Sequence, residues 1–210
     1  MPDSIPVAER FDLDAGALSL DYVNTLDDRY DEQPAERIRD YDDLLAFAEA
    51  AGAVDADEAG QLAALALAQP GAAATLLAEA LVLRETLFPI FAATAAGSAP
   101  DQADLDRLTP WVGRVCRHGW LRAEGDRVTW EWEAIDEDDP ASLDRPLWPV
   151  VHDAVELLTH GDTSRLRECA AHDCGWLFLD TTRNRSRRWC SMQTCGNRAK
   201  VSHFRERQRG

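Results

Sequence analysis

The sequence lacks the features that would indicate a membrane protein, a secreted protein or an enzyme. It has no apolar run approaching the roughly 18 residues that cross a membrane, and its start lacks the cationic and apolar segments of a secretory leader. It contains no internal repeat, no glycine-rich phosphate loop, no His-Glu-x-x-His segment and no serine–histidine–aspartate arrangement. We therefore expect a cytoplasmic protein that does not bind membranes and is not an enzyme.

Cysteine is scarce, but its distribution is far from even. Four of the five cysteines lie within 27 positions, in the pairs Cys169-x4-Cys174 and Cys190-x4-Cys195. Two such pairs typically close one tetrahedral zinc site, in which each thiolate lies about 2.3 Å from the metal. Four protein ligands leave no open position for water, so the spacing predicts a single structural Zn²⁺ rather than a catalytic one.

Three alternatives to a structural four-cysteine zinc site are open at this stage. Disulfides are disfavoured by the reducing cytoplasm expected for this chain. His172 lies between Cys169 and Cys174 and is interpreted as an exposed residue, because four cysteines already complete the coordination sphere. Oxidation of the thiolates with loss of zinc would make the same residues a redox switch.

Charge is divided very unevenly along the chain. The whole sequence has a net charge of −16, but residues 161–210 hold eleven Lys or Arg and five Asp or Glu, so the preceding 160 residues carry −22. Arginine outnumbers lysine ten to one in this basic segment, which favours contacts with phosphates or bases and predicts DNA as a partner. The predicted nucleic-acid-binding residues are Arg183, Arg185, Arg187, Arg188, Asn197, Arg198, Lys200, Arg205, Arg207 and Arg209.

The end of the basic segment predicts a short helix. Asn197 is a candidate N-cap, and Val201 and Phe204 are spaced to pack against the cysteine pairs. Arg198 and Lys200 would then lie in the first turn, where cations are unfavourable unless a phosphate or the zinc thiolates offset them. A solvated, disordered basic tail is the alternative.

Short motifs give the sequence a family resemblance. The segments Trp-Cys-Ser-Met at 189–192 and Cys-Gly-Asn-Arg-x-Lys at 195–200 resemble the CGNR zinc finger, and Asp-Tyr-x-Asn-Thr at 21–25 resembles an element of the helical ABATE domain. The resemblance implies a bacterial protein with an all-helical domain followed by a C-terminal finger, and it again assigns the four cysteines as zinc ligands. Such proteins are described as transcription regulators, some linked to stress, which would associate with the nucleoid when bound to DNA.

The apolar periodicity predicts a mainly α fold with a small β-hairpin. An acidic, ABATE-like helical domain is expected over 1–160, followed over 161–210 by a basic finger of the treble-cysteine-knuckle or zinc-ribbon type that ends in a short helix. The predicted helices are 16–28, 40–52, 57–68, 72–96 with a kink at Pro89, 101–118 broken near Pro110 with Cys116 buried, and 146–160. A hairpin is predicted over 120–132, and residues 135–146 are interpreted as an acidic linker.

One charged residue interrupts the apolar face of the fourth predicted helix. Arg84 lies at helical spacing among leucine and phenylalanine side chains, and a buried guanidinium must be paired. Asp21 is the expected partner, with Asn24 contributing its amide. The arrangement is interpreted either as a salt bridge at the edge of the core or as a pocket for a small anionic ligand.

Three hypotheses for function follow from these patterns. The first is a zinc-containing transcription regulator whose finger binds DNA and whose helical domain senses a small anionic ligand. The second is an RNA-binding or protein-docking module on the same zinc scaffold. The third, compatible with the first, is that the acidic domain masks the basic finger by charge pairing until a ligand releases it. A homo-oligomer is compatible with all three.

Overall fold

The described part of the chain, residues 10–201 of a computed structural model, is mainly helical and carries three small sheets. The helices are α1 Leu18–Val23, α2 Tyr41–Ala50, α3 Ala56–Ala68, α4 Pro70–Ala95, α5 Gln102–Val115 and α6 Trp148–Thr159. Each sheet is an antiparallel pair: β1 Leu26–Asp27 with β2 Ala35–Glu36, β3 Gly119–Glu124 with β4 Arg127–Trp132, and β5 Leu166–Glu168 with β6 Leu177–Leu179. The predicted mainly α class with a small hairpin is confirmed. The predicted roles of Phe204, Arg205, Arg207 and Arg209 lie outside the described residues.

Three of the helices begin at aspartate caps. Asp40 accepts a hydrogen bond from the backbone N–H of Asp43 at the start of α2, and Asp55 forms a capping box with Glu58 at the start of α3. Asp101 caps α5 in a similar way. Each cap of this kind contributes ~1 kcal/mol because it satisfies a backbone donor that the helix itself leaves unpaired. The caps fix where these helices begin, and the predicted starts of α2 and α3 agree with the structure to within one residue.

The longest helix, α4, is the centre of the core. It packs against α1, α2, α3, α5 and the β5–β6 sheet, and it buries Leu83, Leu87, Ile90 and Phe91 completely. Burying one such side chain contributes about 1.5–3 kcal/mol. The helix continues through Pro89. Although α4 is long and rich in apolar residues, no helix in the described part of the chain is both long and apolar enough to cross a membrane.

Several predicted details of the helical part are wrong. Helix α1 ends before Asn24, because the backbone beyond it pairs with the β2 segment: the carbonyl of Thr25 accepts from the N–H of Arg37 at 3.0 Å, and β1 follows at Leu26. Helix α5 continues through Pro110, since Pro110 and Asp106 are both exposed and water can satisfy the carbonyl that the proline leaves without a donor. Cys116, which follows α5, is exposed rather than buried.

The segment 135–146 is interpreted from the sequence as an acidic linker, but its second half, residues 142–146, is buried in the body of the protein. Residues Pro140–Leu147 form a 3₁₀ helix that leads directly into α6. Arg145 is buried and forms an ion pair with Glu58 of α3 at 2.6 Å. Asp144 accepts a hydrogen bond from the indole N–H of Trp148 at 2.7 Å. The charges of Asp144 and Arg145 are therefore paired within the fold, whereas the acidic residues 136–139 are exposed.

The C-terminal segment shares one hydrophobic core with the helices. Leu166, Leu177 and Phe178 of the β5–β6 sheet are fully buried, and β5 packs against α4. The backbone N–H of Leu179 donates to the carbonyl of Ala15 at 2.8 Å, shortly before α1. Residues of the two predicted domains, 1–160 and 161–210, thus meet in a common core.

Candidate metal centre

The four predicted zinc ligands converge on one point. The Sγ atoms of Cys169, Cys174, Cys190 and Cys195 all lie within 4.8 Å of one another, and all four residues are buried. The Cys174–Cys190 and Cys190–Cys195 sulfur pairs are 3.6 and 3.5 Å apart, and the cysteines are free thiols rather than disulfides. Ligands ~2.3 Å from a tetrahedral Zn²⁺ are roughly 3.8 Å from one another. The sulfur atoms therefore fit a single zinc ion.

The first ligand pair is held by the turn between β5 and β6. Cys169 directly follows β5, and its backbone N–H donates to the carbonyl of Trp176 at 2.8 Å, which closes the turn. Gly175 has a φ of 71°, and a Cβ at this position would lie 2.9 Å from the Cβ of Arg29. A larger residue would strain the backbone and collide with the N-terminal segment. Glycine is therefore required where the turn meets that segment.

The second ligand pair is held by a wide helical turn. Residues Met192–Gly196 form a π-helical turn that continues as α-helix over 197–201. Ser191 is its N-cap, accepting a hydrogen bond from the backbone N–H two residues further on. The prediction of Asn197 as the N-cap is wrong, because its side chain donates to the carbonyl four residues earlier, at 3.1 Å, from within the helix. The wide turn returns Cys195 to the sulfur of Cys190.

Cys169, Cys174 and Cys190 influence one another's ionisation at this spacing. Hydrogen bonds from Cys174 and Cys190 lower the pKa of Cys169 to about 2. Hydrogen bonds with Cys169 and Cys190, together with burial, raise the pKa of Cys174 far above its usual range. One thiolate thus suppresses the ionisation of its neighbours. Zn²⁺ would stabilise all four thiolates together, and sulfur is the donor that it selects, so we assign the cluster as one structural zinc site.

Arg198, the last residue of the Cys-Gly-Asn-Arg motif, contacts the metal site directly. Its guanidinium donates to Cys195 Sγ at 3.1 Å and pairs with Asp28 and Asp173, also at 3.1 Å. The hydrogen bonds to Cys195 and Asp28 raise the pKa of Arg198. Four thiolates around Zn²⁺ leave a net charge of about −2, which a neighbouring guanidinium offsets. Arg198 therefore both orients a ligand and ties the site to the N-terminal segment.

The Asp-Tyr-Val-Asn-Thr element holds the metal-binding sheet against the helices. The amide of Asn24 donates to the carbonyl of Leu177 at 2.8 Å and accepts from the N–H of the same residue at 2.9 Å. Nearby, the N–H of Arg29 donates to the carbonyl of Cys174 at 2.9 Å. Sequence reasoning missed this role. The motif at 21–25 was the available signal, but its partner lies 153 positions further along the chain.

The predicted anion pocket of Asp21, Asn24 and Arg84 is not formed. Arg84 is buried, but both of its terminal nitrogens donate to the carboxylate of Glu36 in β2, at 2.7 and 2.6 Å. Burial opposes the charge, but Glu36 and Glu85 together outweigh burial, so the pKa of Arg84 is raised. Asp21 instead accepts a hydrogen bond from the N–H of Ala15 at 2.9 Å, and burial raises its pKa to about 7. Arg84 therefore forms a salt bridge, as one of the two interpretations of the sequence predicted, but its partner is Glu36 and not Asp21.

The predicted nucleic-acid-binding residues divide into two groups. One group is used within the fold: besides Arg198, the guanidinium of Arg187 lies 4.2 Å from the ring centre of Phe178, and Arg185 pairs with Asp162 at 3.4 Å. The members of the other group are exposed and form no ion pair within residues 10–201; they are Arg183, Arg188 and Lys200. Asn197 is exposed as well, but its side chain donates to a carbonyl of its own helix.

A cavity of about 960 Å³ opens beside the metal centre, between the finger and the N-terminal segment. Its two walls differ in character. One wall carries acidic side chains and the other carries polar and basic ones from the second ligand turn; the residues concerned are Asp12, Asp14, Asp27 and Asp28, and Ser191, Gln193, Asn197 and Arg198. The acidic part of the chain therefore faces the finger at close range.

These observations define a class of protein, namely a mainly helical protein with a buried four-cysteine zinc site near its C-terminal end. Comparison with protein families agrees with that class. Residues 165–208 match the model described as "CGNR zinc finger", and residues 16–161 match the ABATE model, described as "Putative stress-induced transcription regulator". The second match covers more than half of the chain, so the chain belongs to the ABATE family. No curated protein matches the chain significantly.

Proposed function

We propose that this protein is a transcription regulator that binds DNA through a basic surface held in shape by the zinc site. The observation that carries the proposal is the exposure of Arg183, Arg188 and Lys200 around the four cysteines, without ion pairs to the rest of residues 10–201. The family description names the same class of function.

The loop between the two ligand pairs is held by hydrogen bonds. Asp180 accepts from the N–H and the hydroxyl of Thr182, at 2.9 and 2.6 Å, and from the N–H of Arg187 at 2.9 Å. The carbonyl of Arg188 accepts from the N–H of Ala170 at 2.9 Å, next to the first zinc ligand. A loop that is ordered before binding loses less conformational entropy when it contacts a partner. This order favours binding by the exposed arginines.

The distribution of charge supports the finger as the DNA-binding part. The 160 residues before it carry −22 and are repelled by phosphates, whereas residues 161–210 carry +6. Binding by Lys and Arg releases the counterions of DNA, so the affinity of such a surface falls steeply with salt. The exposed basic residues would supply contacts of this kind.

Ion pairs within the chain already engage two basic residues of the finger. Arg198 pairs with Asp28 of the acidic part and with Asp173 of the finger segment itself, and Arg185 pairs with Asp162 of that same segment. These pairs are at least partly exposed, and such pairs contribute at most ~1 kcal/mol each. The masking we propose is therefore partial: it lowers the affinity for DNA without abolishing it.

The test is a titration of duplex DNA with zinc-loaded, full-length protein, followed by fluorescence anisotropy at low and at physiological salt. The Arg183→Ala/Arg188→Ala variant removes two proposed phosphate contacts. The slope of log K against log salt should therefore become shallower by about 1.8. Arg107→Ala is the matched control, because Arg107 is an exposed arginine of α5 that pairs with Asp104 of its own helix.

Equal affinity and equal salt slope for the double variant and the wild type would overturn the role of the loop. A protein that binds no duplex DNA but binds RNA in the same assay would assign the finger to RNA instead. Genomic fragments bound more tightly than random duplexes would show base readout in addition to phosphate contact.

A further inference from the structure

The β3–β4 hairpin projects an apolar face that the rest of the described chain leaves uncovered. Leu121 and Val128 are each 68 % exposed, and Trp130 is 37 % exposed. The register pairs Leu121 with Trp130 and Ala123 with Val128, so these side chains lie on one face of the hairpin. An isolated two-stranded hairpin is marginally stable, and an exposed apolar patch of this kind typically marks an interface.

The root of the hairpin is firmly attached to the body of the protein. The rings of Trp132 and Trp148 have centres 6.0 Å apart, and the ring of Trp130 lies 4.7 Å from that of His152. His118 stacks on Trp148 at 4.2 Å. This aromatic cluster fixes β4 beside α6, while the outer edge of β4 has no neighbouring strand among residues 10–201.

The outer edge of β4 presents free backbone groups at alternate residues. The N–H of Glu133 donates to the carbonyl of His118 at 2.7 Å, so these opposed residues form a hydrogen-bonded pair. In an antiparallel ladder every second opposed pair is hydrogen-bonded in this way. The odd-numbered residues of β4 therefore direct their N–H and carbonyl groups toward β3. Val128 and Trp130 therefore direct their N–H and carbonyl groups to the open edge.

The sequence of β4 is complementary to an antiparallel copy of itself. When Thr129 lies opposite the partner's Thr129, Arg127 lies opposite the partner's Glu131 and Val128 opposite the partner's Trp130, each combination occurring twice. Opposite charges, aromatic–β-branched pairs and Thr–Thr pairs are favourable cross-strand neighbours. The same register brings the outward peptide groups of Val128 and Trp130 into hydrogen-bonded pairs.

The charges of the hairpin also suit a second copy. Residues 119–132 contain two arginines and three acidic residues, a net charge of −1 in a chain whose net charge is −16. Two copies therefore repel each other less here than through an acidic surface. Arg127 forms no ion pair within residues 10–201, whereas Glu131 pairs with Arg122 at 2.7 Å and can accept a further donor. Arg127 is thus available to a partner.

We propose that β4 is the dimerisation edge of this protein. Two copies pair β4 with β4 around Thr129 and form a four-stranded antiparallel sheet. The apolar faces of the two hairpins become continuous, and Val128 at each tip packs beside Trp130 at the partner's root. The dimer removes the open edge of each β4 and packs the exposed side chain of Val128 against the partner's Trp130.

The test is sedimentation velocity of the zinc-loaded, full-length protein over a concentration series. The wild type is expected to dimerise. Arg127→Glu and Glu131→Arg each place like charges opposite one another twice, so each should weaken dimerisation about tenfold or more. The reciprocal variant Arg127→Glu/Glu131→Arg restores opposite charges and should restore the dimer. Arg117→Glu changes the net charge as Arg127→Glu does but lies outside β4, so it should dimerise like the wild type.

Val128→Pro provides a test that does not depend on charge. It removes an N–H of the open edge but none of the hydrogen bonds between β3 and β4, and proline is tolerated at such edge positions. The variant should be monomeric, with wild-type zinc content and circular dichroism. A wild type that stays monomeric at all concentrations would overturn the proposal, as would a dimer that neither Arg127→Glu nor Val128→Pro weakens. Single charge variants that dissociate without rescue by the reciprocal variant would overturn the register around Thr129.

Discussion

The attachment of the metal-binding sheet to the helices depends on one buried asparagine. Asn24 is 4 % exposed, and its amide satisfies both the N–H and the carbonyl of Leu177, which is fully buried. Replacing Asn24 with alanine would leave two buried backbone groups without partners. Each such group costs roughly 1–3 kcal/mol, so we expect Asn24→Ala to lower the free energy of unfolding by about 2–4 kcal/mol.

The assay is thermal unfolding of the zinc-loaded, full-length protein, followed by circular dichroism. For a chain of this size 1 kcal/mol shifts Tm by ~2–4 °C, so the expected decrease is roughly 4–16 °C. Asn24→Asp keeps an acceptor for the N–H of Leu177 but sets a carboxylate against its carbonyl, and we expect a loss of similar size. Asn197→Ala is the control, because it removes one hydrogen bond on an exposed helix surface and should change stability by less than about 0.5 kcal/mol.

Zinc release in the same samples adds a second readout. Strand β6 follows the first ligand pair directly, so loosening Leu177 should let zinc dissociate at a lower temperature in Asn24→Ala than in the wild type. A loss below about 0.5 kcal/mol for Asn24→Ala would refute the reasoning, since Leu177 would then be satisfied by other groups.

Three further substitutions probe the metal site, a half-buried acid and a buried arginine. Cys190→Ser should abolish zinc retention in a chelator-competition assay and lower the Tm of the whole chain, because the finger shares its core with the helices; full retention would contradict the four-cysteine site. Burial raises the pKa of Asp21 from 3.8 to about 7, so the unfolded chain loses this proton first and wild-type stability should fall as pH rises through that range. Asp21→Asn should remove that slope and gain about 2 kcal/mol above neutral pH, allowing for the partial exposure of the group; an unchanged slope in urea unfolding would exclude Asp21 as its source. Arg84→Leu leaves the charge of Glu36 without its partner and should cost about 2 kcal/mol, most of which Arg84→Leu/Glu36→Gln should recover, because glutamine removes that charge and can still accept from the N–H of Ile38; an equal loss in both variants in urea unfolding would contradict the pairing.

The zinc site is predictable from the sequence because its geometry is largely local. Each ligand pair is separated by only four residues, and one turn is enough to bring two sulfur atoms together. The contact of Arg198 with Cys195 is also local, since the two residues are three positions apart in a helical segment. The spacing does not predict that the helical segment is capped as early as Ser191. That early start depends on the wide π-helical turn, which the sequence pattern does not reveal.

The partners of Arg84 and Asn24 are not predictable in the same way. Helical periodicity indicates that Arg84 faces the core, but the residue opposite it belongs to β2, 48 positions earlier in a segment without clear periodicity. The partner of Asn24 is 153 positions away and is a backbone group, which no side-chain pattern reveals. Pairing over such distances depends on how the helices and strands pack together. The motif at 21–25 can therefore be recognised in the sequence although its binding partner cannot.

Composition also misleads where charges are paired inside the fold. The run of acidic residues around 136–139 suggests a solvated linker, yet the 3₁₀ helix Pro140–Leu147 that follows is largely buried. Asp144 and Arg145 enter the core because an indole N–H and a glutamate of α3 satisfy them. Composition gives the number of charged residues but not their partners. For this reason the sequence alone does not show that Asp144 and Arg145 are buried.

The contacts of Arg198 limit which basic residues of the finger can bind DNA without disturbing the zinc site. Its guanidinium already joins a zinc ligand to Asp28 and Asp173. A phosphate bound there would displace two carboxylates and deprive the Cys195 thiolate of a charged donor, so DNA contact at Arg198 would weaken the metal site. Arg183 and Arg188 carry no such penalty, because both are exposed and neither contacts a zinc ligand through its side chain. The Cys-Gly-Asn-Arg motif therefore belongs to the metal centre and its attachment to the helices, and the proposed DNA contact belongs to Lys200 and to the loop before the second ligand pair.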